Sequence, residues 1–206
     1  FRLDENGRVL EPWIKEGICG ETYIDKLTYE ECKNLEYASE AAKEHLGYYA
    51  HVAELEEMIK TCREYGKIAY ITVRDQQIEL CVDEIYRLLK KYDMVDHCIV
   101  NSFTPETLQA MRRKDKNIRL SRVFGPDETV TKAEIDICAE LGNCAFCFFS
   151  LTQCGNTQDV YDQSKEAFLY AKEKGVPLHF AQVADKKFYN WGLENGFTGF
   201  QCLTVK

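Results

Sequence analysis

Four side chains on the expected strands of this sequence could do chemistry: Asn101, Phe103 and Arg122 near strand ends, and His179. Asn101 and Phe103 close the run Cys98–Phe103, at the end where parallel α/β sheets build their sites. Phe103 lines a pocket wall there or packs the upper core. Arg122 alternates with Leu120 and Phe124. An inward arginine needs an anion, and one step of register turns it out to solvent. His179 lies mid-strand in Pro177-Leu178-His179-Phe180. Turned inward it is an acid or base; otherwise it is a satisfied core histidine. Cys144-Ala145-Phe146-Cys147 is a lone C-x-x-C inside an apolar run. A structural zinc site needs four ligands, and residues three apart on a strand point to opposite faces, so core packing is the better reading.

The composition limits what those residues serve. The chain has 206 residues, 45% hydrophobic and 29% charged, enough for one sizeable core and one domain over 1–206. Net charge is −8, and the longest basic cluster is Met111-Arg112-Arg113-Lys114 at a helix end, where cations oppose the helix dipole. No basic face for nucleic acid follows from this. No apolar run reaches the roughly 20 residues that span a bilayer. Ten cysteines, several on apolar helix or strand positions (Cys62, Cys81, Cys98, Cys138), read as reduced, buried thiols and favour a cytoplasmic setting. The chain opens Phe1-Arg2-Leu3-Asp4 without an initiator methionine, which reads as a processed or truncated product. Oligomeric state is left open.

The positioning elements alternate. Thr28 to Glu31 is a capping box opening a helix, and Val52, Leu55, Met58, Ile59 and Cys62 mark a second, stopped at Gly66. Strands are expected near 68–73, 97–103, 118–124, 144–151, 176–183 and 198–205. Between them lie an amphipathic helix from Ile78 to Tyr92, a helix capped by Thr104-Pro105, one opened by a second capping box at Thr131 to Glu134, one from Val160 to Lys174 and a short one at Phe188–Leu193. Strand–helix repetition with apolar strands gives a parallel sheet covered on both faces. It closes as a barrel or lies open and doubly wound. No Gly-rich nucleotide-binding fingerprint follows any strand.

Several phrases, in order, resemble the glycerophosphodiester phosphodiesterase family. They are Leu27-Thr28-Tyr29-Glu30-Glu31, Asp96-His97-Cys98-Ile99-Val100-Asn101-Ser102-Phe103-Thr104-Pro105-Glu106-Thr107-Leu108 with Ile118-Arg119-Leu120, Gly175-Val176-Pro177-Leu178-His179, and Gly196-Phe197-Thr198-Gly199-Phe200. The resemblance implies a (β/α)8 TIM barrel, whose first strands are then missing from this chain. It also implies metal-dependent hydrolysis of a glycerophosphodiester in lipid metabolism. The small-molecule phosphodiester is activated by Mg²⁺ or Ca²⁺ on carboxylates, and two histidines serve as acid and base.

The same resemblance marks departures. The His-Arg-Gly of the first strand and the carboxylates and histidine that follow it are absent, so no catalytic residue is assigned. The strand that carries the third metal carboxylate reads Ile71-Thr72-Val73-Arg74, with Thr72 in its place and Arg74 matching the basic residue after it. Arg74 can take a phosphate bidentately, its alternative being a surface pair with Asp75 or Glu79. Ala181-Gln182-Val183-Ala184 and Cys202-Leu203 replace further site phrases. Asp75 is a substitute carboxylate or a helix-start residue, and Asp185 an N-cap. Two functions are therefore carried forward. One is family hydrolysis. The other is a divergent, non-catalytic barrel that binds a phosphorylated ligand or a protein partner through a pocket of Thr72, Arg74, Asn101, Phe103, Arg122 and His179. No metal-ligand set is assigned, and Mg²⁺ or Ca²⁺ is not expected on this chain as given.

Overall fold

The computed structural model describes residues 2–10, 17–74, 78–124, 130–149, 158–183 and 186–202. Asp75, Cys154, Ala184, Asp185 and Leu203 lie outside the described residues. The chain forms two compact units, Phe1–Met58 and Ile59–Lys206.

In the first unit, strands β1 (Arg2–Leu3), β2 (Val9–Leu10) and β3 (Gly20–Glu21) pair antiparallel in the order β2-β1-β3. Asp4 turns the β1–β2 hairpin: its Oδ1 accepts from the N–H groups of Asn6 and Arg8, and Gly7 takes φ 76°. Two-residue strands are too short to leave a period in the sequence. The Thr28 capping box forms in full at the head of helix α1 (Tyr29–Lys33). Ser39 caps α2 (Glu40–Leu46), which ends on Gly47 in the left-handed region. Helix α3 (Leu55–Glu64) begins before the boundary between the units and ends after it.

The second unit is a curled, six-stranded parallel half-barrel. Its strands are β4 (Ala69–Val73), β5 (Cys98–Ser102), β6 (Arg119–Val123), β7 (Cys144–Phe149), β8 (Leu178–Val183) and β9 (Phe197–Cys202), the first five inside their expected ranges and β9 starting one residue before its own. Helices α4 (Ile78–Lys91), α5 (Pro105–Lys114), α6 (Lys132–Leu141), α7 (Gln158–Glu173) and α8 (Lys186–Glu194) alternate with them. Strand order is β4-β5-β6-β7-β8-β9 with no reversal. A doubly wound sheet reverses order at its switch point. That alternative is excluded.

One face of this sheet carries the helices. Phe148 meets Phe168 of α7 at 5.3 Å, and Phe180 meets Trp191 of α8 at 5.7 Å. Alternation then assigns Ile71, Val73, Val100, Leu120, Phe146 and Leu178 to the same covered face. The other, inner face carries Tyr70, Thr72, Asn101, Ser121 and His179.

Two local expectations are corrected. Thr104 occupies the N-cap of α5 with Pro105 behind it, but its hydroxyl bonds Ser102 and Thr107 hydroxyls rather than the helix backbone. Thr131 occupies the N-cap of α6 without a capping hydrogen bond. Glu134, which was to complete that box, turns to Arg122 instead.

Candidate functional site

Register decides which candidates meet. Thr72 pairs with Asn101, Asn101 with Ser121, and Ser121 with Ala145, making one transverse row on the inner face. One layer nearer the strands' C-terminal ends, Val123 pairs with Cys147, Cys147 with His179 and His179 with Gly199. Arg74 and Phe103 follow the Val73–Ser102 pair and belong to this upper layer. Thr72, Arg74, Asn101, Phe103 and His179 therefore share one face.

The β4–β5 corner is the best defined. Asn101 Nδ2 donates to Thr72 Oγ1 at 3.1 Å. Above them the Arg74 guanidinium stands 4.3 Å over the Phe103 ring. Phe103 packs in turn on Val123, Cys147 and Ala181. Arg74 is exposed, and Glu79, one of its expected partners, pairs with Arg113 at 2.7 Å.

The neighbouring polar residues were not singled out from sequence. Tyr70 Oη donates to Ser121 Oγ at 3.0 Å. Burial of that hydroxyl raises the Tyr70 pKa well above the ordinary phenol range, although 37% of the residue stays accessible. Burial pushes the Cys147 thiol up to about 11, which makes it a packing group rather than a nucleophile. The signal for Ser121 was its place between Arg119 and Val123, legible only once the inner face is known.

His179 has its pKa lowered by burial and stays neutral near pH 7. Gly199 gives its ring room: a Cβ there would lie 2.5 Å from His179 Cδ2. Beside it Gln182 takes φ 56°, where the β8–β9 register shifts.

Arg122 does not join this group. It shares the face of Leu120 and Phe124, as alternation requires, but that is the helix-covered face. Its Nη2 lies 3.2 Å from Glu134 Oε2 on α6, and its Nη1 donates to the Val123 carbonyl. The anion it needs is internal. Cys144 and Cys147 likewise fall on opposite faces, and the nine described cysteines other than Cys154 are free thiols.

No family model matches the sequence, and no curated protein matches it. Solved structures do. A glycerophosphodiester phosphodiesterase from Parabacteroides distasonis ATCC 8503 aligns with TM-score 0.67 at 15% identity, over 87% of this chain and 68% of its own. A Galdieria sulphuraria protein assigned that activity aligns at 0.71 and 15%, over 98% and 74%. The fold is that of the glycerophosphodiester phosphodiesterases. The enzyme from Agrobacterium tumefaciens str. C58 extends the likeness at 0.57 and 11%, over 98% of this chain and 80% of its own.

The phosphodiesterase resemblance brings with it a divalent cation on carboxylates. The donors on the described inner face are Tyr70, Thr72, Asn101, Ser121, Cys147 and His179, all neutral, and Thr72 Oγ1 is already engaged by Asn101. Hard cations want anionic oxygen ligands. Among the described residues no three His, Cys, Asp or Glu side chains converge as a ligand set. The donor set does not fit Mg²⁺ or Ca²⁺. No described helix is long and apolar enough to cross a membrane.

Proposed function

We propose that this chain is a phosphodiester-binding barrel in which Arg74, not a divalent cation, holds the anion at the C-terminal ends of β4 and β5. The observation that carries this reading is the Arg74 guanidinium 4.3 Å over Phe103. The ring contact holds the guanidinium at this corner, and a guanidinium fork is the group that takes two phosphoryl oxygens at once. One cation at this corner suits a monoanionic diester better than a dianionic monoester. The ligand class is the small glycerophosphodiesters released from phospholipids.

Architecturally, the six strands correspond to six of the eight in a (β/α)8 barrel, with the two remaining strands closing the free edges of β4 and β9. A second reading, metal-dependent hydrolysis of the same diesters, is supported by the structural likeness to phosphodiesterases. It requires carboxylates from outside the described residues.

Calorimetric titration with glycerophosphocholine, with and without Mg²⁺ or Ca²⁺, tests both. Binding independent of metal, weakened at least about tenfold by Arg74→Ala, is expected, since hydrogen bonds to charged groups contribute about 1.5–3 kcal/mol. Absence of binding, or equal affinity in the variant, overturns the proposal. Release of glycerol 3-phosphate on adding either metal establishes the second reading in its place.

A further inference from the structure

Asn101 is 6% accessible, and its Oδ1 has no hydrogen-bond partner among the described residues. One proton of its Nδ2 goes to Thr72, and Ser121, the next residue in the row, accepts from Tyr70. A buried amide oxygen without a partner is costly enough that folded proteins rarely leave one.

We infer that Asn101 is a specificity-determining residue that receives a hydroxyl carried on the alcohol arm of the bound phosphodiester. This rests on the placement of the phosphate at Arg74. Three observations support it. Thr72 and Asn101 lie directly below Arg74 and Phe103, two residues down the same strands, so the layers are about 6.6 Å apart. An arm of two or three carbons bearing a hydroxyl bridges that distance. The described inner face has no carboxylate, and Phe103, the ring at this corner, already carries Arg74. A quaternary ammonium arm therefore finds no counter-ion here. Finally, a hydroxyl both donates and accepts. It satisfies Asn101 whichever end of the amide faces it, because Thr72 can bond either end.

The residues bordering Asn101 on β4, Thr72 and Arg74, are both exposed.

The probes are bis(2-hydroxyethyl) phosphate and diethyl phosphate, equal in charge and carbon number and different only in their hydroxyls. The wild-type chain is expected to bind the hydroxylated diester about tenfold more tightly, the ratio that one well-made hydrogen bond supplies. Asn101→Ala brings the two affinities together, whereas Arg74→Ala lowers both by the same factor. Equal wild-type affinities, as would follow if a water completes Asn101, overturn this assignment and leave the phosphodiester reading intact. If neither probe binds, that reading falls and this assignment with it. Should Asn101→Ala fail to fold by circular dichroism, the wild-type pair of probes decides alone.

Discussion

Arg122 on β6 and Glu134 on α6 face each other across the sheet–helix interface, Nη2 to Oε2 at 3.2 Å, with side chains only 10% and 24% accessible. Arg122 Nε and Glu134 Oε2 lack a well-aligned hydrogen bond, so the pair works through charge more than through geometry. Removing one partner strands the other. Glu134→Ala is expected to cost about 3 kcal/mol in urea unfolding, while Arg122→Met with Glu134→Leu recovers most of it. A single-variant loss below about 0.5 kcal/mol contradicts the pairing.

The contact between Gly199 and His179 gives a second test. A methyl at Gly199 would meet the imidazole at 2.5 Å. Gly199→Ala should destabilise the sheet by about 1–3 kcal/mol, the usual range for overpacking. Adding His179→Ala should return much of that loss. If the pair of changes is simply additive in chemical denaturation, the ring is not what the glycine accommodates.

Stability should also respond to pH through His179. Burial lowers its folded pKa below the unfolded value of about 6.5, so the unfolded chain takes up a proton first. Above that pH both states are neutral and the residue contributes no slope. As pH falls from there toward the folded pKa, stability declines, and below the folded pKa the loss levels off. His179→Gln is expected to remove this component from denaturation midpoints measured between pH 7 and 5. An unchanged profile would rule out its burial as the cause.

Phe180 lies fully buried between Phe148, Trp191, Phe197 and Phe200. Truncation to alanine empties a site ringed by rigid side chains that collapse poorly. A loss of about 3–5 kcal/mol is expected. Retention of a wild-type melting curve would mean that this face of the sheet is not the core.

The parallel strands were legible from the apolar residues on their helix-covered face, such as Ile71, Val100, Leu120, Phe146 and Phe180, set between helical patterns. The location of Arg122 was not. Alternation shows that Arg122 and Ser121 point opposite ways, but the face that the helices cover is a property of the whole sheet. The second capping box failed for a related reason: Thr131 and Glu134 have the right spacing, yet a buried arginine competes for the carboxylate more strongly than one backbone N–H. Thr72 and Arg74 were singled out by family resemblance. Their relation to Asn101 and Phe103 follows only from the β4–β5 register.

Each strand of the half-barrel pairs with the strand next in sequence, from β4 through β9. Among the described strands of the half-barrel, no sheet contact skips over a neighbour in sequence. A growing polypeptide can lay down one strand and its helix at a time, each addition templated by the last.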